Sequence, residues 1–380
     1  MSQWKDVKLG DVLTFANGKK IEECDRSLSG KNKIYGSNGV IGYTDKYLVD
    51  GETIIIGRVG AFCGSLEYSN QPVWVTDNAI YAKAKEGYDS KFIFLLLSTL
   101  NLRQFAGGSA QPLLNQTILK NISVKIPQLQ VQEEISSVIF SLTDKIQLNL
   151  QMNQTLEEMA MTLYKHWFVD FGPFQDGEFV ESELGMIPKG WEVSNVGSVT
   201  NIFDSLRVPL SNKEREKRKG IYPYYGATSL MDYVDDYIFD GTYLLVGEDG
   251  SVMKEDGTPY TQYVSGKFWV NNHAHVLQGT NGVSTEWLKV FFDNCNVAPY
   301  VTGAVQPKIN QKNLKSIPFL LPPQNVRQEF NKNIKNLYEK ILINNKENVQ
   351  LETIRNYLLP RLLSGEIDVS KAEKQVEEVL

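Results

Sequence analysis

Gly108–Pro127 reads GSAQPLLNQTILKNISVKIP, and Gly303–Pro322 reads GAVQPKINQKNLKSIPFLLP. Nine of these 20 aligned positions are identical without a gap: Gly108, Gln111, Pro112, Asn115, Gln116, Leu119, Lys120, Ile122 and Pro127. Working outward, the match continues in the same order. Trp4 followed by Leu9-Gly10 is answered by Trp191 followed by Val196-Gly197. Tyr35-Gly36 is answered by Tyr225-Gly226. The segment from Val49-Asp50-Gly51 through Ile54–Ile56 to Gly57 and Gly60 is answered by Phe239-Asp240-Gly241 through Leu244–Val246 to Gly247 and Gly250. The offset drifts from 187 to 190 to 195 along the chain. The insertions that cause the drift fall between matched blocks, so a scaffold is repeated while its loops differ.

Each copy has one order of elements. Apolar runs bounded by glycine, Thr53 to Ile56 and Thr242 to Val246, predict buried strands. A short helix follows, Ser90 to Phe105 or Thr285 to Asn294, with Ser90 and Thr285 as expected caps and Gly107-Gly108 as the first stop. A last strand, Ile122 to Ile126 or Ile317 to Leu321, ends at proline. A long helix closes each copy. Ile135, Leu142, Asn149, Leu156 and Leu163 form a seven-residue column, with a weaker partner column of Val138, Lys145, Met152, Met159 and His166. The second copy repeats the main column as Phe330, Leu337, Asn344, Leu351 and Leu358. Such a period predicts helices packed as a coiled coil. About 40 residues at ~1.5 Å each make a rod of about 60 Å, suited to a spacer. The polar members, Asn149 and Asn344, either fix helix register or face solvent. Pro360 is expected to stop or kink the second helix.

The chain has 380 residues, which at roughly 150 per domain predicts two or three domains. The expected boundaries are a first domain over 1–127, a helix over 128–168, a linker over 169–190, a second domain over 191–322, a helix over 323–365 and an acidic tail over 366–380. The fold class expected is mixed α/β, with two tandem pseudo-symmetric domains joined by two long antiparallel helices. Cys24, Cys63 and Cys295 are scattered and odd in number, with neither disulfide nor metal spacing. No apolar leader or spanning run is present, so the expectation is a soluble cytoplasmic protein.

Catalytic motifs are missing. No phosphate loop and no G-x-G-x-x-G occurs. His273-Ala274-His275 reads as a strand-edge pair in ordinary packing rather than a metal site, and His166 as part of a helix face. No cofactor and no metal is called for. A duplicated chain without catalytic motifs points to recognition.

Taken together, Trp4-Lys5, Leu9-Gly10-Asp11, Gly57-Arg58-Val59-Gly60, Gly108–Pro112, Leu119–Ile122 and Pro127 before a Gln/Glu-rich helix start resemble the specificity subunit of type I restriction-modification systems. The resemblance covers essentially the whole chain. It implies two target recognition domains, each reading half of a bipartite double-stranded DNA target. It also implies helices that dock two methylation subunits, a restriction subunit in the larger assembly, and no catalytic site in this chain. Two rival classes stay open: a DNA-binding subunit or regulator acting without these partners, and a tandem module for a non-DNA ligand. Co-purification with a methyltransferase separates them.

Candidate DNA contacts are basic or amide side chains. They are Lys19, Lys20, Lys31, Lys33 and Arg58 in the first copy. In the second they are Arg207 and the string Lys213, Arg215, Lys217, Arg218 and Lys219, with a solvated helix face as the alternative because Glu214 and Glu216 interleave. Gln111, Asn115, Gln306 and Asn310 recur in both copies and suit backbone contact or bracing of the scaffold. Arg58 gives way to Glu248 in the second copy, which marks a variable reading position. The net charge of -6 looks unsuited to DNA. However, acids concentrate in Phe168–Glu192 (Asp170, Asp176, Glu178, Glu181, Glu183, Glu192) and in the tail (Glu366, Asp368, Glu373, Glu377, Glu378). The recognition modules are near neutral with local basic strings. Weak DNA binding by the isolated chain, strengthened by methylation subunits, is the expectation.

Overall fold

The computed structural model describes residues 4–107, 112–303 and 305–372. It divides into two units, Met1–Gln147 with Asn348–Leu380, and Leu148–Glu347.

The strands of the first unit are β1 (Lys5–Lys8), β2 (Leu13–Asn17), β3 (Asn32–Gly36), β4 (Gly39–Thr44), β5 (Thr53–Gly57), β6 (Leu66–Ser69), β7 (Val73–Val75), β8 (Ala79–Ala84) and β9 (Ser123–Ile126). First and last strands, β1 and β9, pair antiparallel and close the module. A four-stranded sheet runs β2-β8-β5-β6 and a three-stranded sheet runs β4-β3-β7. Every residue of β5 is buried, as its run of apolar and β-branched residues predicts.

The second unit contains β10 (Phe179–Ser182), β11 (Gly185–Pro188), β12 (Glu192–Asn195), β13 (Thr200–Ile202), β14 (Lys219–Tyr225), β15 (Leu230–Val234), β16 (Phe239–Gly247), β17 (Thr261–Val270), β18 (Ala274–Gly279) and β19 (Pro318–Leu321). Strands β12 and β19 close this module as β1 and β9 close the first. The stretch read as a linker folds into the β10–β11 hairpin. The main sheet runs β13-β18-β16-β17-β14-β15. Here one strand does the work of two. Residues 66–75 align without a gap on residues 261–270. In the first unit Pro72 has no N–H to give a ladder, and the chain breaks into β6 and β7. Lys267 stands at the matching place, pairs with Asp240, and β17 runs through.

The short helices start at the expected residues, but their caps lie one residue earlier than expected. Asp89 caps Ser90–Ser98 through Phe92 N, and Ser284 caps Thr285–Asn294 through Trp287 N. The first helix also ends at Ser98 rather than Phe105. Asn101 leaves the helical region (φ −77°, ψ 82°), and a single 3-10 turn, Leu102–Phe105, follows.

The long helices span Leu129–Phe168 and Gln324–Ser364. Pro360 lies inside the second and does not stop it; the end comes at Gly365, whose φ of 73° is a left-handed cap. In the first unit Ile135, Ile139, Leu142 and Ile146 share a core with Leu351, Leu358 and Leu362. In the second, Ala160, Tyr164 and Trp167 share a core with Phe330, Ile334 and Tyr338. The expected partner column fails there: Met152 and Met159 are exposed, and Asn153 and Ala160 are buried instead. Past Asn149 the buried residues follow spacings of three and four that sum to eleven, which a nearly straight 3.6-residue helix favours.

Asn149 and Asn344 are buried rather than solvent-facing. Asn344 Nδ2 donates to Asn153 Oδ1 at 2.8 Å, and Asn149 Nδ2 donates to Glu347 Oε2 at 2.7 Å. These contacts run antiparallel. The two residues do not bond each other; each meets a partner about one turn along the facing helix. A register role for them is a proposal. Exchanging both for leucine should raise thermal stability and leave more than one helix pairing, read by cysteine cross-linking at alternative spacings. Unchanged stability with a single register would discard the role.

Candidate nucleic-acid interface

In each unit the tip of the central strand meets the turn that precedes its neighbour. In the first, Arg58 N donates to Asn78 O at 3.1 Å and Thr76 N to Tyr35 O at 2.9 Å. In the second, Glu248 N donates to His273 O at 2.9 Å and Asn271 N to Tyr225 O at 3.1 Å. The backbone frame is the same, and the side chains on it differ.

Around this frame in the first unit, Lys19, Lys20, Lys31 and Lys33 are exposed. Among the described residues none of them has an ion-pair partner. Trp74 Nε1 donates to Lys19 O at 2.8 Å, which ties the lysine-bearing segment to β7. Trp269 Nε1 makes the matching bond to Val208 O at 2.6 Å in the second unit. Arg58 is half-buried; its Nη1 reaches Asp77 O at 3.4 Å, and its Nε is buried without a partner among the described residues.

In the second unit most of the expected cations are already spent on the scaffold. Arg207 Nη1 donates to Glu248 Oε2 and to Ala274 O, both at 2.6 Å, and its Nη2 lies 3.6 Å from Asp204 Oδ2. Arg215 pairs with Asp232 at 3.3 Å and lies over the Tyr224 ring. Arg218 pairs with Asp235 at 2.9 Å and lies over Trp269. Lys219 meets Asp232 at 2.8 Å and Glu216 at 3.1 Å; these hydrogen bonds hold it above the usual lysine range. Only Lys213 and Lys217 of the string are exposed without an ion-pair partner among the described residues. They sit on the helix Asn212–Lys217, with a capping box from Ser211 and Glu214.

The recurring amides divide. Asn115 caps Gln116–Lys120 by accepting from Ile118 N at 2.9 Å, and Asn310 caps Gln311–Lys315 by accepting from Asn313 N at 2.9 Å. Both oxygens thus brace the scaffold. Gln306 is exposed, and Gln111 lies outside the described residues.

His275 is no strand-edge residue. It is fully buried in β18, between β13 and β16. Two acids that looked remote in sequence, Asp204 and Glu248, converge on it closely enough to suit a metal ion. They already have partners. His275 Nδ1 meets Asp204 Oδ2 at 2.6 Å and its Nε2 meets Ile309 O at 2.8 Å; Lys308 Nζ lies 3.1 Å from Glu248 Oε1. Burial pushes the Asp204 carboxyl up. The hydrogen bond and charge of His275, the Val276 amide and the Arg207 guanidinium outweigh it and hold the group below the ordinary carboxylate range.

Sequence reading missed one surface feature. The hairpin β3–β4 exposes Val40, Ile41 and Tyr43, and β14–β15 exposes Leu230, Met231 and Tyr233, at an offset of 190 throughout. A bulge at Ile34/Tyr35 recurs at Tyr224/Tyr225 and turns the two consecutive residues outward. Ile41 lines a cleft of about 400 Å³ with Lys20, Arg26, Thr76, Asp77 and Asn78.

The family model of the type I restriction modification DNA specificity domain matches residues 1–158 and again 188–353. The chain belongs to this family. The MjaIX specificity subunit of Methanocaldococcus jannaschii is 26% identical over an alignment that covers 97% of this chain and 94% of the relative. The HindI specificity subunit of Haemophilus influenzae is 23% identical over 73% of this chain and 77% of its own. The crystal structure of the S subunit from M. genitalium has the same fold, with a TM-score of 0.65, 16% identity, and coverage of 95% and 96%. This specificity subunit therefore works by recognition and is not itself the enzyme of such a system. Among its described residues no helix is long and apolar enough to cross a membrane.

Proposed function

We propose that each unit of this specificity subunit reads one half of a bipartite DNA target, and that its long helices dock two methylation subunits, with a restriction subunit joining the larger assembly. The observation behind the first part is the frame described above: one backbone arrangement present twice, with Arg58 and Asn78 on one copy and Glu248 and His273 on the other. A fixed frame with exchanged side chains suits two half-sites of different sequence. Phosphate contacts fall to the exposed lysines Lys19, Lys20, Lys31, Lys33, Lys213 and Lys217, with Arg58 at the groove edge. For docking, Leu148 and Ile343 correspond at offset 195 and are 52% and 58% exposed on the helices. Two like apolar positions suit two copies of one partner.

Mapping methylated bases in cells with and without this chain tests the reading. The expected result is a motif of two half-sites with a fixed gap, lost when the chain is lost. A continuous motif, or methylation that persists, would overturn it.

A further inference from the structure

We infer that positions 78 and 273 carry base readout, with Asn78 serving the first unit and His273 the second. The inference rests on the half-site reading proposed above and names the side chains that perform it.

The two positions correspond at offset 195, one residue ahead of Ala79 and Ala274, which are fully buried at the starts of β8 and β18. Their backbones are pinned twice, by the amide of residue 58 or 248 and by the contact of residue 76 or 271 with the neighbouring strand. A reader needs such a rigid base. Both side chains are exposed. The rival position, 58 and 248, is not available in both copies. Glu248 is only 9% exposed and is held by Arg207 and Lys308, so it cannot reach a groove without abandoning the buried Arg207 guanidinium.

The chemistry of the two side chains is definite. An exposed asparagine amide offers a donor and an acceptor side by side, the match for adenine N6 and N7 in the major groove. His273 Nδ1 is hydrogen-bonded to Asp249 Oδ1. A carboxylate accepts, so Nδ1 bears the hydrogen, and in the tautomer this selects Nε2 is left as an acceptor. Among the described residues Nε2 has no partner. An acceptor there suits an exocyclic amino group, N4 of cytosine or N6 of adenine. Asp249 is a positioning residue that sets the tautomer. It is itself anchored, because its backbone bridges to Lys308. Lys20 lines the same cleft as Asn78, where Arg26 is paired with Glu23 at 3.4 Å and Glu22 and Asp77 also face the space, so Lys20 is the cation left for an adjoining phosphate.

The test uses the full chain assembled with its methylation subunits and a DNA library randomised at every base pair of both half-sites. Asn78→Ala should relax preference at one base pair of one half-site by about 5- to 150-fold, and His273→Ala at one base pair of the other. Asp249→Asn should alter preference at the same base pair as His273→Ala. His273→Gln should retain part of it. Equal weakening across all sequences, or an unaltered preference, would overturn the inference. If the unaltered assembly shows no two-part preference at all, the half-site reading fails instead, and the two failures are distinct.

Discussion

Arg207→Met should destabilise the second unit by about 3–5 kcal/mol, the cost of leaving buried charge without its partner. Exposure decides the magnitude. An ion pair in open solvent is worth about 0–1 kcal/mol. Here the side chains of Arg207, Asp204 and Glu248 are 11%, 3% and 11% exposed. The guanidinium also donates to the carbonyls of Asp204, on the 3-10 turn Asp204–Leu206, and of Ala274 on β18, so methionine removes a donor from each. Hydrogen exchange in β13, β16 and β18 should accelerate, while strands of the first unit keep their protection. The double variant Arg207→Met, Glu248→Met should recover part of the loss, because the orphaned carboxylate leaves with its partner. The pH dependence follows from Asp204. Its folded-state carboxyl sits below the ordinary range, so its contribution is complete above that range and is lost as pH falls through the lowered value. Without Arg207 that loss should begin at higher pH. Urea titration at several pH values checks all of this; a loss under about 1 kcal/mol would show that the network is solvated.

This network also marks where sequence reading ran out. The repeat was legible because its identical residues do scaffold work: Asn115 and Asn310 cap helices, Leu119 and Leu314 are fully buried, and Pro127 and Pro322 follow the closing strands. The exposure of the first unit's lysines was legible too: acids such as Glu22 and Glu23 lie close to Lys20 in sequence, but among the described residues none pairs with these lysines. The second unit's cations were not. Glu216, visible beside the string, does reach Lys219, but the partners that fix Arg215 and Arg218 are Asp232 and Asp235, delivered by the register of β14 against β15. Asp204, Glu248 and His275 lie far apart in sequence and meet only when β13, β16 and β18 align. Asn78 and His273 did leave a signal, a mismatch at matching places in the repeat, but only the hydrogen-bonded frame showed that they hold the same position.

Phe330→Ala is expected to cost about 3–5 kcal/mol, toward the upper end for a core aromatic. The ring is fully buried and meets four others. It lies edge-on to Phe168 at 4.7 Å and 89°, and against Trp287 at 4.8 Å and 62°. Trp167 and Tyr164 follow at 5.6 and 6.4 Å. Edge-to-face pairs add about 0.5–1.5 kcal/mol each beyond area burial. The cavity left by alanine would be walled by rigid rings that cannot collapse into it. The site also joins three elements, the end of the first long helix, the start of the second and the short helix Thr285–Asn294, so the loss should reach beyond its own neighbours. The first unit provides the control. Ile135 occupies the corresponding place, with Phe92 where the second unit has Trp287, and this smaller hub holds that core. Ile135→Ala should therefore cost less than Phe330→Ala, and Phe330→Leu should recover part of the volume. Thermal and urea unfolding of the three variants, followed by tryptophan fluorescence for the second unit, tests the ranking. An Ile135→Ala loss equal to or larger than that of Phe330→Ala would reject the aromatic hub as the keystone of the second unit.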